Sequence, residues 1–329
     1  MSWLDGANGL RFEEPGTVVS MGEIPLARPS DDGCSVEIWL RPARASASAT
    51  LLAFHDSGQV KLALHQSLTD LAVERESAGN PFPWRSPLLY ASRAFAEARP
   101  VFFSISSGAN GTAIYVDGVL TRSSPSFWIS PRDCDGRLTL GASPTNGNAW
   151  SGIVKGLAIY HRELTGAQAL RHYQTWAAEG FPVLADGETC AALYLFSERA
   201  GAVAHNRAGE RGDLLIPERY QVEDQALLTP FWREFRPSWS YVLDLVKNVV
   251  GFVPLGFVFC AWLRRTLSSS RAAWVTTILG MLVSVTIEVL QAYLPTRQSG
   301  MTDILTNTLG TWLGVVAWRR APRVLRWGL

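Results

Sequence analysis

The sequence predicts a chain in two parts, an all-β jelly-roll sandwich followed by an α-helical transmembrane domain. Between about residues 8 and 160, short runs with alternating apolar side chains are separated by turn residues, as in antiparallel sandwiches. From residue 241 onward, three apolar segments follow one another, about long enough to cross a bilayer core of roughly 30 Å. The net charge of +1 averages over these unlike parts and therefore indicates nothing about nucleic acid.

The strands of the first part are predicted from the alternation of side chains. The run from Ser35 to Leu40 has an apolar residue at every second position, which is the period of a half-buried strand. The dipeptides Asn110-Gly111 and Asp117-Gly118 supply the positive φ angles that tight hairpin turns require. Further strands are predicted at 51–54, 60–64, 101–105, 113–116, 138–140 and 153–159.

A helix and a looser segment follow the predicted strands. Thr165 is expected to cap a helix that runs from about Gly166 to Ala178. Its predicted inner face consists of Leu170, Tyr173 and either Trp176 or Ala177. The predicted domains are a sandwich at 8–180, an extension and linker at 181–240, and a membrane domain at 241–329 with helices at about 241–263, 272–294 and 301–318.

Basic residues predict the orientation of the helices in the membrane. Arg264, Arg265 and Arg271 lie between the first two helices, and four arginines follow the third, whereas only Arg297 separates the second from the third. By the positive-inside rule, the first loop and the C-terminal tail are cytoplasmic and the sandwich is extracytoplasmic. Residues 1–16 have neither the basic nor the apolar region of a signal peptide, so we expect a signal anchor upstream.

Polar side chains inside the apolar segments predict a functional site. A carboxylate at bilayer depth costs on the order of 3 kcal/mol, so such groups normally face a partner or a wet cavity. Glu288 and Gln291 are one helical turn apart, and Asp303, Asn307, Gly310 and Gly314 form one helix stripe. The alternative is that these groups only join helices, at about 0.6 kcal/mol each. The predicted cluster comprises Asp244, Lys247, Asn248, Glu288, Gln291, Arg297, Asp303 and Asn307.

Three runs in the last 90 or so residues carry a family resemblance: KNVVGFVPLG, IEVLQAYLPTR and DILTNTLGTWLG. Together they resemble the VanZ-like family, which is named for teicoplanin resistance. The resemblance implies a small multi-pass protein of the bacterial cell envelope. It implies neither a particular biochemical activity nor resistance to a glycopeptide. The matching positions are Lys247, Pro254, Leu255, Gly256, Glu288, Gln291, Arg297, Asp303, Asn307, Gly310 and Gly314. Asn248 stands where many members have His, and Gly300 where a polar residue is more usual.

The first part is similar to laminin-G-like (LamG) domains of the concanavalin A-like lectin and glucanase superfamily over about residues 8 to 180. The runs that carry this resemblance are SVEIWLRP, TAIYVDGVL, RLTLGA and SGIVKGLAIYHRELTGAQALRHY. The resemblance implies a sandwich fold, which hosts binding modules, enzymes and adhesion domains alike. We therefore expect a domain that binds carbohydrate or a surface protein.

The sequence lacks the carboxylate pair that a glycosidase on this fold would need. Glu37 is alone on its strand, and Glu74 and Glu76 belong to a charged run typical of a solvated face. No catalytic residue is therefore predicted. Loop carboxylates are the type of ligand that calcium accepts, but the spacing of these residues matches no defined calcium-binding loop. Aspartates in loops more often stabilise turns. These carboxylates are Asp31, Asp32, Asp56, Asp117 and Asp135.

The cysteines leave the disulfide state open. Cys260 lies in an apolar helix, so three cysteines remain for the first part: Cys34, Cys134 and Cys190. One pair among them is compatible with an extracytoplasmic domain.

Three hypotheses cover the membrane part. In the first, the polar cluster binds the headgroup of an envelope lipid or glycolipid, with Arg297 pairing with a phosphate or carboxylate. In the second, the cluster relays protons or a solute. In the third, the helices only anchor a sandwich that recognises glycan or a surface protein.

Overall fold

The computed structural model describes residues 1–13, 16–24, 32–56, 59–76, 86–145, 149–185, 188–218, 220, 227–235, 239–294 and 299–321. The described residues form two units, one that ends at residue 220 and one that begins at residue 227. The predicted Arg297 and Asp31 lie outside the described residues.

The first unit is an antiparallel β-sandwich, as the sequence predicts. In the described residues, one sheet has the order β1 (Ser2–Trp3), β2 (Leu10–Phe12), β13 (Gly152–Tyr160), β4 (Cys34–Pro42), β9 (Val101–Gly108), β10 (Gly111–Val116) and β11 (Val119–Ser124), with β14 (Ala192–Tyr194) paired to β13. The other has the order β15 (Val203–Ala204), β16 (Leu214–Leu215), β3 (Val18–Ser20), β12 (Arg137–Leu140), β5 (Ala47–Asp56), β6 (Gln59–Leu68), β7 (Asp70–Arg75) and β8 (Leu88–Ala91). Three of these strands, β14 to β16, lie within the segment 181–240 that the sequence assigns to an extension and linker.

Strand β4 is buried on both faces, so the expectation of a half-buried strand at Ser35 to Leu40 is wrong. Val36 and Ile38 face the sandwich core, while Glu37 on the opposite face is also fully buried. The reason is a covering helix, α1 (Gly166–Glu179), whose Trp176 packs against Trp39 of β4 with ring centroids 6.2 Å apart. Alternation along the strand gives no sign of this second layer, because the covering residues come more than 120 positions later.

Helix α1 begins where the sequence predicts, because Thr165 and Gln168 form a reciprocal capping box. The Thr165 hydroxyl accepts a hydrogen bond from the Gln168 N–H, and the Gln168 side chain accepts one from the Thr165 N–H. The prediction of its inner face is wrong at Leu170, which is 41% exposed. The buried residues are Ala169, His172 and Trp176. The helix is turned this way because the imidazole of His172 packs against the buried carboxylate of Glu37.

Turn chemistry places the hairpin between β10 and β11. Asp117 and Gly118 have φ angles of 50° and 76°, so both adopt the left-handed conformation that a primed two-residue turn requires. Gly111, with a φ of 93°, follows the turn between β9 and β10. Both hairpins are therefore present, but the prediction of a primed turn at Asn110-Gly111 is wrong, because residues 109 and 110 form the turn and only Gly111, at the start of β10, has a positive φ.

A disulfide joins Cys34 in β4 to Cys134, at the end of a short 3₁₀ turn. The two residues are 100 positions apart. In the entropic model, closing a loop of that length lowers the conformational entropy of the unfolded chain and so stabilises the fold by about 4.7 kcal/mol. The structure thus selects one of the pairings that the sequence leaves open, and Cys190 is a free thiol.

The second unit is helical: α2 (Phe231–Glu234), α3 (Trp239–Leu263), α4 (Ser269–Gln291) and α5 (Met301–Arg320). Within the described residues, α3 and α4 have the length and apolar composition needed to cross a membrane. The helix α4 begins and ends three residues before the predicted segment at 272–294. The helix α5 packs along both of its neighbours.

Glycines allow α3 and α5 to pack backbone against backbone. A Cβ atom on Gly310 would overlap the carbonyl oxygen of Val249, and one on Gly314 would overlap that of Val253. On α3, a Cβ on Gly256 would overlap the carbonyl oxygen of Thr311. Small residues at such crossings are typical of membrane helices, whose association relies on close packing.

Replacing Gly310 by Ala should therefore destabilise the helical unit by about 1–3 kcal/mol, because the added methyl group forces the two backbones apart. The measurement is the thermal unfolding midpoint of the full chain in detergent. Gly251→Ala is the matched control, since a Cβ there meets nothing within 4 Å. Equal midpoints for the two variants would contradict the packing argument.

Candidate functional site

The polar residues of the helical unit meet around the N-terminus of α5. Glu288, near the end of α4, is 1% exposed, and its carboxylate accepts a hydrogen bond of 2.8 Å from the Gly300 N–H. Asp303, in the first turn of α5, accepts a hydrogen bond of 2.7 Å from the side-chain amide of Asn248 on α3. Each of the three long helices therefore contributes a polar group to one place.

Asn307 lies one turn further along α5 and has one unused acceptor. Its side-chain N–H donates to the Ser284 hydroxyl at 2.9 Å, and the residue is 5% exposed. Its side-chain oxygen is buried and has no hydrogen-bond donor within the described part of the chain. An unsatisfied buried acceptor costs about 1–3 kcal/mol, so this position favours a ligand that donates a hydrogen bond.

Glu234 is a site residue that the sequence analysis misses. Its carboxylate accepts hydrogen bonds from the N–H group of Thr302, at 2.9 Å, and from the hydroxyl of the same residue. A bridge between Thr229 and Gly300 brings α2 to this position. The predicted cluster is limited to the apolar segments from residue 241 onward, so it excludes Glu234. The aromatic residues next to Glu234 in the sequence, Phe231, Trp232 and Phe235, are the signal that could have found it.

Gly300 makes the approach of Glu234 possible. A Cβ atom at this position would overlap the Glu234 carboxylate. The departure from a polar residue at position 300, noted in the sequence, therefore has a steric reason.

A cavity of about 260 Å³ opens beside these groups. Six of the eight predicted cluster residues line it: Lys247, Asn248, Glu288, Gln291, Asp303 and Asn307. Gly251, Phe252 and Ile287 are the other described residues of the lining. Asp244 does not line the cavity, because it forms an exposed ion pair of 2.9 Å with Lys247 on the surface of α3.

The described lining offers mainly hydrogen-bond acceptors. The backbone N–H groups at the start of α5, which would otherwise attract an anion, already donate to Glu288 and Glu234. The one described cation in the lining, Lys247, is paired with Asp244. The described arrangement therefore suits a ligand with hydroxyl or amino groups better than a phosphate.

A second polar cluster lies buried in the sandwich. The carboxylate of Glu37 accepts hydrogen bonds from Tyr160 at 3.0 Å and from His172 at 3.0 Å, and the other ring nitrogen of His172 lies 3.4 Å from Glu188. Glu37, Tyr160 and His172 are fully buried. Glu37 is therefore out of reach of a substrate and instead ties α1 to β4.

Burial and charge shift the pKa values in this cluster. Burial raises the pKa of Tyr160, and the Glu37 charge raises it further. Burial by itself lowers the pKa of His172, but its contacts with Glu37 and Glu188 more than offset that effect and the pKa lies above the usual value. For Glu188, burial opposes ionisation, yet hydrogen bonds from the Ala185 N–H, Arg171 and Gln168 lower its pKa to about 2.

Two of the loop carboxylates considered for calcium, Asp117 and Asp135, have protein partners. Asp117 accepts a hydrogen bond from the Phe102 N–H and pairs with Arg99, and Asp135 pairs with Lys61 at 2.6 Å. Among the described residues, no three His, Cys, Asp or Glu side chains are grouped as metal ligands. These aspartates thus act in turns and ion pairs here.

Family comparisons match both parts of the chain. Residues 16–169 match the model of the concanavalin A-like lectin/glucanases superfamily, and residues 190–325 match the model of the VanZ/LLP1 family. The chain is a fusion of a concanavalin A-like part and a VanZ-like part. No curated protein matches it.

Three solved structures that are similar to the chain are remote from it in sequence. A heptameric SAP-like pentraxin from Limulus polyphemus is 12% identical, with a TM-score of 0.40, over 64% of this chain and 94% of the pentraxin. A candidate carbohydrate-binding protein from Bacteroides ovatus is also 12% identical, with a TM-score of 0.39, over 64% of this chain and 61% of that protein. The binding domain of botulinum neurotoxin DC, solved with rat synaptotagmin II, is 11% identical, with a TM-score of 0.35, over 51% of this chain and 42% of that chain.

The buried cluster in the concanavalin A-like part should make the stability of the fold depend on pH. Because the pKa of Glu188 is lowered from 4.5 to about 2, its carboxylate stabilises the fold above about pH 4.5 and loses this effect as the pH falls toward 2. The thermal unfolding midpoint of the wild type should exceed that of Glu188→Gln at pH 7, and the difference should shrink below pH 4.5. Glu179→Gln, an exposed change at the end of α1, is the control. If the difference in unfolding midpoint between wild type and Glu188→Gln stays constant down to pH 3, the stabilising role of the ionised Glu188 carboxylate is refuted.

Proposed function

We propose that the VanZ-like part binds the hydroxyl- or amine-bearing headgroup of an envelope lipid or glycolipid, and that the sandwich recognises a glycan or a surface partner. The observation that carries the first half is Asn307, which lines a polar cavity and whose buried side-chain oxygen has no hydrogen-bond donor among the described residues. A sugar hydroxyl or a protonated amine supplies the donor that this oxygen lacks.

The size and lining of the cavity support a headgroup over a single water molecule. Its volume of about 260 Å³ is several times the roughly 30 Å³ that a water molecule occupies in the liquid. The carboxylates of Glu288 and Asp303 add acceptors, while Phe252 and Ile287 add apolar surface suited to a lipid. Ligand sites typically combine apolar walls with a few placed polar groups in this way.

The proposed location is the bacterial plasma membrane, with α5 as a third span beside α3 and α4. In this proposal the arginines after α3 and α5 lie on the cytoplasmic side and the sandwich lies outside. The disulfide between Cys34 and Cys134 supports that placement, since disulfides persist in oxidising compartments.

The packing at the end of α3 and α5, away from the polar cavity, favours binding over a proton or solute relay. There, Cys260, Val315 and Trp318 form an apolar cluster. Between this cluster and Asn307, the buried hydroxyls of Thr276 and Thr311 bond to carbonyl groups of their own helices. The described polar groups therefore make no continuous path from one end of the unit to the other.

The test is to purify the full chain in native-like membrane particles and identify the co-purifying lipids by mass spectrometry. We expect one headgroup class to be enriched with the wild type and lost with Glu288→Gln and Asn307→Leu, because both variants remove acceptors from the cavity. Arg297→Ala tests whether that residue contributes an ionic contact.

Asp244→Asn is the matched control, because it converts a carboxylate to an amide outside the cavity. It should retain the enriched lipid. Bulk lipid alone in every sample would reject the headgroup site and favour the hypothesis that the helices only anchor the sandwich.

For the sandwich, an exposed aromatic ring supports glycan recognition. Trp128 is 44% exposed, and the guanidinium of Arg75 lies 5.7 Å from its ring centre, held by Asp133 at 2.9 Å. Exposed Trp rings beside a fixed polar group suit sugar rings, which have both apolar and hydroxyl surface.

We expect Trp128→Ala to abolish binding of the full chain to a glycan array while leaving the unfolding midpoint within about 2 °C, as for most surface substitutions. Phe181→Ala, at another exposed aromatic residue, should bind as the wild type does. Unchanged binding of Trp128→Ala would remove this face from the proposal.

A further inference from the structure

A second cavity lies at the opposite end of the helical unit, where α3 ends, α4 begins and α5 ends. Its volume is about 650 Å³, and it is lined by Ala261, Arg264, Arg265, Ser269, Ser270, Trp318 and Arg319. The rise of about 1.5 Å per residue places Arg264 roughly 24 Å from Asn248 along α3. This cavity is therefore distinct from the acceptor-lined cavity at the start of α5.

The charge of this cavity is positive and is not balanced along the chain. Three of its lining residues are arginines. The sequence has no Asp or Glu between residues 245 and 287 or between residues 304 and 329. A concave surface lined by one sign of charge concentrates ions of the opposite sign, so this end of the unit attracts anions.

Two of the arginines are fixed at the rim of the cavity by backbone carbonyl groups. The Arg264 Nη1 atom donates to the Leu267 carbonyl at 2.7 Å, and the Arg319 Nη2 atom donates to the Ser269 carbonyl at 3.1 Å. A guanidinium group that is held in place loses little further entropy when it binds a planar or tetrahedral anion in the bidentate manner. The cavity is thus organised before a ligand arrives.

The helix ends at this cavity carry opposite partial charges. Ser268 is the N-cap residue of α4, and its side chain makes no capping hydrogen bond. The positive end of α4 lies beside the arginines at Ser269 and Ser270, whereas the negative ends of α3 and α5 lie at the same place, so the attraction for an anion rests on the arginine side chains. Trp318 and Ala261 supply an apolar wall.

We propose that this cavity binds a phosphate group, supplied by the headgroup of an anionic phospholipid. Guanidinium groups match phosphate geometry, and the apolar wall suits the glycerol and acyl part of a lipid. Free phosphate carries the same chemistry, so the experiment must separate the two sources. The proposal does not depend on the headgroup site at the other end of the unit.

The test uses the full chain in detergent and native mass spectrometry with added phosphatidylglycerol, with phosphatidylcholine as the zwitterionic comparison. The wild type should retain phosphatidylglycerol at least tenfold better than phosphatidylcholine. Arg319→Gln and Arg265→Gln should each lower that retention about tenfold. Arg319→Lys should recover part of it, because Lys keeps the charge but lacks the planar fork.

Arg320→Gln is the matched control, since this neighbouring arginine is exposed and does not line the cavity. A single charge near an anionic surface changes binding by about fivefold, so the control should lose no more than that. Equal losses for Arg319→Gln and Arg320→Gln would overturn the site in favour of a diffuse basic surface. If Arg319→Gln does not fold, the comparison of Arg265→Gln with Arg320→Gln decides in the same way.

A competition with inorganic phosphate separates the two sources. Displacement of phosphatidylglycerol only at phosphate concentrations far above that of the lipid supports the lipid headgroup as the ligand. Displacement at equal concentrations would overturn the lipid as source and leave free phosphate as the ligand. Asp244→Asn, a change outside both cavities, should leave the preference for phosphatidylglycerol unchanged.

Discussion

The helical unit depends on how the first N–H groups of α5 are satisfied. Its N-cap residue is Gly300, which has no side chain to accept a hydrogen bond from the first turn. Two carboxylates from elsewhere in the unit, Glu288 and Glu234, accept those hydrogen bonds instead. The same glycine leaves room for Glu234, so one missing side chain creates both the need and the space.

This constraint gives the two ends of the helical unit opposite chemistry. At the start of α5, protein carboxylates already occupy the positive end of the helix, and the neighbouring cavity presents acceptors to a ligand. At the other end, arginines surround a cavity beside the uncapped start of α4. A bundle with acceptors at one end and cations at the other can hold two different ligand groups, and this asymmetry underlies both binding proposals.

In the sandwich, too, a buried polar group is satisfied by partners from other elements of the fold. Glu37 is fully buried, and its carboxylate is satisfied by Tyr160 and His172, which in turn meets Glu188. A buried carboxylate without such partners would be strongly destabilising. Glu37, which the sequence shows alone on its strand, therefore has a structural position, and the proposed recognition by this unit rests on exposed groups such as Trp128.

The sequence by itself determined the types of the elements, the hairpins, the start of α1 and most of the polar cavity lining. These features depend on short-range spacing: two-residue alternation, a capping box within four residues, and the helical period that places Asp303 and Asn307 on one stripe. Only the tertiary structure decided that Glu234 reaches Thr302, that Cys34 pairs with Cys134 and that β4 is covered on both faces. Those contacts join residues 68 to more than 100 positions apart, so they follow from how elements pack and leave no periodic trace in the chain.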